Sequence, residues 1–172
     1  MRFQGVCCRA HDPRWAFSPT SGTGAAIHGG RFNPKAVEAL YLALSLEGAF
    51  LEINQGFALK FAPCTLCSYD VDCDDLADLR TEGGRQLHNV DFNDMACAWF
   101  SLAAAGSDPP SWQLARRLRR EGFAGVFVPS FAVGAQQDWA NLVLWQWGDR
   151  LPHRITVYDP IRQLPANQRS WT

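Results

Sequence analysis

Apolar residues come in short blocks separated by glycine- and proline-rich stretches, and the blocks predict alternating short strands and helices. Phe3 to Cys8 is apolar, ends at Arg9 and reads as a first strand. Residues 10–34 carry Pro13, Pro19, Pro34 and several glycines and read as a long irregular loop, the kind that is usually functional inside a compact domain. Ala39 to Ala43 is a second strand. Ser45 then has the chemistry of a helix N-cap, with Glu47 in the first turn. Leu46, Phe50 and Ile53 follow helical spacing and are expected to face the core. Further along, the pattern predicts a strand over Tyr69–Val71, a short helix over Asp74–Leu79 and a buried, alanine-rich helix over Asn93–Ala105. Ser111 is expected to cap a helix that runs to Glu121 and stops at Gly122, with Trp112, Ala115 and Leu118 inward and Arg116, Arg117, Arg119 and Arg120 largely outside that stripe. Ala124–Val128, Leu142–Trp147 and Ile155–Tyr158 are three late strands. No β-α-β alternation is sustained, so the expected class is α+β, with mixed, mostly antiparallel sheets and flanking helices.

Composition narrows the class. The 172 residues show no linker, low-complexity segment or repeat, and read as one domain over residues 1–172. Hydrophobic residues make up 47% and charged residues 19%, which excludes a disordered chain. A net charge of −1 argues against a general nucleic-acid binder. No apolar run approaches the roughly 20 residues that span a bilayer, and the N-terminus lacks a secretory apolar core, so a cytoplasmic protein is expected. Six cysteines are too few for a chain this long to depend on a disulfide framework. The Cys64-x-x-Cys67 pair with Cys73 lacks a fourth zinc ligand. Free, mostly buried thiols and no metal are the expectation. Seven tryptophans and eleven phenylalanines are enough to line both a core and a pocket for a flat ligand.

Three side chains stand out. Arg31 follows Gly29 and Gly30, which permit a sharp turn and close approach of a ligand. Its planar fork of donors matches a phosphate, or else pairs with a surface carboxylate. Tyr41 sits in an apolar strand, as a core tyrosine or as a ring that stacks on a base. Glu52 lies between Leu51 and Ile53 in an otherwise apolar stretch, and shares a helix face with Ser45 and Ala49 at about 3.6 residues per turn. A carboxylate in such surroundings needs a partner or a task. It can pair with Arg31, or stabilise an oxocarbenium-like centre during glycosidic cleavage. Ser130 ends the strand Val126-Phe127-Val128-Pro129, where its hydroxyl can meet a ligand, and Asn141 opens the next apolar run, with a loop-holding or ligand-holding amide. Of the four histidines, only His28 adjoins the Gly29-Gly30-Arg31 turn of the suspect loop. There is no G-x-G-x-x-G or Walker loop.

Gly30-Arg31-Phe32-Asn33-Pro34, Leu40-Tyr41-Leu42-Ala43, Ala49-x-x-Glu52, Pro129-Ser130 and Asn141-Leu142-Val143-Leu144 together resemble the RES-domain family, named for an arginine, a glutamate and a serine. Those three are matched here by Arg31, Glu52 and Ser130. The resemblance implies an ADP-ribosyltransferase-like fold, and a toxin of a bacterial toxin–antitoxin pair that consumes NAD⁺ as substrate. It implies as partner an antitoxin with an Xre-like DNA-binding region and a C-terminal segment over the toxin's site, so that DNA is met only through the antitoxin. Members deliver ADP-ribose to a protein, to phosphate or to water. In the implied site, Arg31 and Arg9 hold the pyrophosphate or a ribose, Tyr41 stacks on nicotinamide, Ser130 bonds the nicotinamide ribose or amide, and Glu52 faces the cationic ribose. His28, Ser45 and Asn141 complete the NAD⁺-binding set. Three readings stay open: transfer to a cellular protein or to the toxin itself, NAD⁺ breakdown by water or phosphate, and a non-enzymatic module in which Arg31 and Glu52 form a buried ion pair.

Overall fold

Side chains that alternate along the apolar blocks end on opposite faces of one seven-stranded sheet. The structure, a computed structural model, describes residues 1–54 and 62–171. The strands are β1 (Phe3–His11), β2 (Leu40–Ala43), β3 (Thr65–Cys73), β4 (Leu76–Asp78), β5 (Gly125–Pro129), β6 (Ala140–Leu144) and β7 (His153–Val157), in the spatial order β4-β5-β6-β2-β1-β3-β7. All neighbours are antiparallel except the β4–β5 pair. The helices are α1 (Thr23–His28), α2 (Leu46–Ile53), α3 (Glu82–Leu87), α4 (Phe92–Ala96), α5 (Trp99–Ala104) and α6 (Pro110–Arg120). The fold is therefore α+β with a mostly antiparallel mixed sheet, as the sequence pattern predicts.

One sheet face gathers Leu40, Leu42, Tyr69, Val71, Phe127, Leu142 and Leu144, with Trp147 and Leu164 packed against them. On the other face, Val126, Val128 and Val143 pack under Met95 of α4 and Leu114, Ala115 and Leu118 of α6. A separate small cluster of Cys8, Ala43 and Ala49 seats α2 on that same face. The strands β1 and β2 pair only at Cys8 and Ala43, although β1 is bonded to β3 along its whole length and β2 to β6 along all of its own. Beyond Cys8 the two strands part.

Several local expectations are corrected. Leu46, Phe50 and Ile53 are exposed rather than buried in the core, and Ile53 lines the cavity described below. The face that α2 buries carries Gly48 and Ala49, because only small residues let the helix approach Cys8 and Ala43. A side-chain carbon at Gly48 would stand 2.9 Å from Ser45 Oγ and 3.4 Å from Ala43 Cβ. Asp74–Leu79 is no helix: Leu76–Asp78 pairs in parallel with Gly125–Phe127, so tertiary pairing overrides local propensity. Asn93–Ala105 divides into α4 and α5, because Cys97 adopts extended backbone (φ −55°, ψ 154°), and only Met95 of the two helices is buried. Ser111 is buried inside α6 and does not cap it. Pro110 opens that helix at a position where its missing N–H costs nothing. The loop over residues 10–34 contains a 3₁₀ turn at Pro13–Trp15 and the helix α1. The six cysteines are free.

Candidate active site

Gly29 (φ +76°) turns the chain out of α1, and Gly30 then lies flat against Tyr41. A side-chain carbon at Gly30 would stand 2.5 Å from the Tyr41 hydroxyl and 2.6 Å from Asn33 Oδ1. The turn is closed by Gly30 N–H donating to the Asn33 carbonyl (2.9 Å) and Asn33 N–H donating to the Gly30 carbonyl (3.3 Å). Fully buried Asn33 is the hub of the turn: its amide donates to the carbonyls of Ala25, Pro34 and Val37, at 2.9, 3.1 and 2.9 Å. The Tyr41 hydroxyl donates to Asn33 Oδ1 (2.7 Å) and accepts from Phe32 N–H (2.9 Å). Burial pushes the Tyr41 phenol up, so it stays neutral. Two indoles complete the frame. Trp112 donates to the Gly30 carbonyl at 2.8 Å, and Trp145 to the Phe32 carbonyl at 3.0 Å.

Arg31 therefore leaves a turn whose flanking carbonyls are both bonded. Its Nη1 donates to the carbonyls of Met95 (3.0 Å) and Cys97 (2.7 Å), at the end of α4. A cation is favoured at a helix C-terminus, where carbonyls are left without helical partners. The guanidinium lies 4.6 Å over the centre of the Phe131 ring. Burial lowers its pKa and the nearby Glu52 charge opposes that, and an arginine stays ionised throughout. Among the described residues, neither Nε nor Nη2 of Arg31 donates a hydrogen bond.

Glu52 extends from α2 beside Ala49, and its Oε1 accepts from Ser130 Oγ at 2.8 Å and from Asn141 Nδ2 at 2.6 Å. Ser130 is itself held: its N–H donates to the Trp139 carbonyl (2.8 Å), and its hydroxyl oxygen accepts from Ala132 N–H (3.3 Å). Asn141 is fixed by the register of β6, opposite Ala43 of β2. A glutamate from a helix, a serine past a strand end and an asparagine within a strand thus meet at one oxygen.

Arg31, Tyr41, Glu52 and Asn141 border a cavity of about 390 Å³ on the sheet face between α2 and the layer of α4 and α6, and Ser130, which is not among its lining residues, meets it only through Glu52. Arg31, Tyr41, Glu52, Asn141, Trp99 and Phe131 line it, over a floor of Cys8, Ala43 and Ala49. Arg9 and Ala10 reach its edge from the parted end of β1. The Arg9 Nη1 donates to the carbonyls of Pro19 (2.9 Å) and Ser21 (3.1 Å), and Tyr69 donates to the same Pro19 carbonyl (2.8 Å). Arg9 therefore anchors the loop as well as bordering the cavity. Close by in sequence, His11 is buried with no hydrogen-bond partner for either ring nitrogen among the described residues.

The structure brings together Arg31, Tyr41, Glu52, Ser130 and Asn141, with Arg9 at the edge. His28 is exposed at the end of α1, and Ser45 accepts from Gly48 N–H (3.0 Å) as the cap of α2. Neither is among the residues that line the cavity. Sequence reasoning gave no site role to Phe131, Trp99, Trp145 or Trp112, the last of which it placed only on the inward stripe of its helix. Their only signal is the aromatic excess, which says that a pocket can be lined but not by which rings. Among the described residues, no group of three or more His, Cys, Asp or Glu is placed to hold a metal, and no helix is long and apolar enough to cross a membrane.

The RES domain family model matches residues 6–167. The chain belongs to the RES domain family. The match takes in the Arg31 turn, α2 with Glu52, and the Ser130 and Asn141 strands of this RES domain. No curated protein sequence matches the chain. Among solved structures, a chain of the crystal structure of the M. tuberculosis MbcT-MbcA toxin–antitoxin complex matches with a TM-score of 0.58. The match covers 92% of this chain and 84% of that one, at 24% identity. At that identity the likeness is one of fold.

Proposed function

We propose that this RES domain, residues 1–172, is the cytoplasmic toxin of a toxin–antitoxin pair. It cleaves the nicotinamide–ribose bond of NAD⁺ and transfers ADP-ribose to a protein acceptor. The observation that carries the reading is the pair of donors on Glu52: Ser130 and Asn141 hold one carboxylate oxygen, in a cavity that also presents Arg31. Two donors on one oxygen fix the direction of the carboxylate. A fixed negative charge facing the ribose stabilises the cation that develops as the C–N bond breaks. The bond's electron pair leaves with nicotinamide, which becomes neutral, so the departure needs no general acid. The acceptor then attacks the ribose carbon and gives its proton to Glu52.

The other side chains bind. Arg31 offers Nε and Nη2 to the pyrophosphate, with Arg9 at the cavity edge as the second cation. The Tyr41 ring forms a wall for the nicotinamide, and Ser45 contributes by capping the helix that carries Glu52. His28 is left without a role. Arg31 spends its described bonds on main-chain carbonyls rather than on Glu52, which favours an enzyme over a module built on a buried ion pair. The fold likeness to a chain of a toxin–antitoxin complex supports a cognate antitoxin as partner.

Incubating the protein with labelled NAD⁺ and cell lysate tests the reading. Nicotinamide release, a labelled protein band, and loss of both in folded Glu52→Gln are expected. ADP-ribose or its 1″-phosphate without a labelled protein would replace the protein acceptor by water or phosphate. No nicotinamide release at all would overturn the reading.

A further inference from the structure

The cation and the anion of the cavity are held by adjacent residues. Ser130 donates to Glu52, and the next side chain, Phe131, carries the Arg31 guanidinium on its face. Ser130 ties this dipeptide down, its N–H donating to the Trp139 carbonyl and its hydroxyl oxygen accepting from Ala132 N–H. The Phe131 ring is wedged between Phe32, with centroids 6.3 Å apart, and Phe92, at 6.0 Å. Phe32 itself follows Arg31 in the turn, so the ring touches both the side chain and the neighbour of the arginine.

We propose that Phe131 is a positioning residue for Arg31, and that Ser130-Phe131 sets the spacing between the ligand-binding cation and the carboxylate. The Nη1 bonds to Met95 and Cys97 pin one end of the guanidinium, but two bonds at a single nitrogen leave the plane free to rock about that end. The flat face of Phe131 restricts that rocking and leaves Nε and Nη2 directed for a ligand. An aliphatic side chain of similar bulk fills the space without this preference, because the attraction comes from the ring quadrupole. Phe131 works through Arg31 and does not react.

The ligand part of this inference rests on the NAD⁺ reading above, and the test separates the two. Wild type, Phe131→Leu and Phe131→Tyr are compared by the NMR signal of the Arg31 side-chain N–H and by NAD⁺ titration. The expected result is an upfield, ring-shifted Arg31 Nε–H in wild type and Phe131→Tyr that moves to its ordinary position in Phe131→Leu. NAD⁺ affinity should fall about 3–30-fold in Phe131→Leu and recover in Phe131→Tyr. An unshifted signal in wild type, an unchanged signal in Phe131→Leu, or equal NAD⁺ affinity in wild type and Phe131→Leu overturns the inference. If wild type binds no NAD⁺, the functional reading fails, and the Arg31 signal alone decides the role of Phe131.

Discussion

Tyr41→Phe removes one oxygen and orphans two buried groups. In the folded protein the hydroxyl bonds Asn33 Oδ1 at 2.7 Å and Phe32 N–H at 2.9 Å. Asn33 is 0% exposed and Phe32 2%, so water does not replace the lost partner without the turn opening. Two orphaned groups at about 1–3 kcal/mol each make the expected loss about 2–6 kcal/mol. With a urea slope of about 2 kcal/mol/M, the midpoint falls by about 1–3 M at unchanged slope. Gly30→Ala is the second arm. Its new carbon would meet the Tyr41 hydroxyl at 2.5 Å, Asn33 Oδ1 at 2.6 Å and Tyr41 Cζ at 2.9 Å, an overpacking that costs about 1–3 kcal/mol. In the double variant the first of those collisions is gone while the other two remain. The two costs should then fall short of their sum by about 0.5 kcal/mol or more. Circular dichroism during urea titration of the four proteins reads all of this. A Tyr41→Phe midpoint within about 0.2 M of wild type, or strict additivity in the cycle, would refute the view that this hydroxyl holds the turn.

Asn141→Ala should cut nicotinamide release about 10–150-fold, the worth of a hydrogen bond to a charged group, while the melting temperature shows that the protein stays folded. Arg31→Lys, which keeps the charge but loses the planar fork, should weaken NAD⁺ binding about 10-fold or more by calorimetry. His11 carries the pH dependence: burial first, and then the neighbouring Arg9 charge, push its pKa from 6.5 down to about 4. Between those values the unfolded chain binds a proton that the folded one refuses, so stability falls as pH drops from about 6.5 to about 4, by at most about 3 kcal/mol. His11→Phe should flatten that part of a melting-temperature profile against pH, and an unchanged slope would refute the assignment.

The α+β class and six of the strands are legible because short apolar blocks and turn residues are local signals. β4 escapes detection because Leu76–Asp78 becomes a strand only when β5 is beside it. The α2 face is misjudged for a related reason. Leu46, Phe50 and Ile53 look like a core stripe, but the space above Cys8 and Ala43 admits only Gly48 and Ala49. Within the site, Arg31, Tyr41 and Glu52 are legible from unusual chemistry in unusual places. The meeting of Ser130 and Asn141 at one oxygen depends on the β5–β6 and β2–β6 registers, which no local pattern encodes. Phe131 and the three tryptophans are invisible for the same reason: an aromatic residue declares burial, not its neighbour.

The lone Cys8–Ala43 pairing between β1 and β2 makes the sheet behave as two panels joined at one rivet. One panel, β4-β5-β6-β2, carries Ser130 past its edge and Asn141 within it; the other, β1-β3-β7, carries Arg9. The pocket opens where the ladder is left unzipped, so no layer of the core is hollowed out to make room for it. Amides beside this seam should exchange with solvent sooner than those of the β1–β3 ladder. A ligand that spans from Arg9 to Asn141 would then stitch the two panels together.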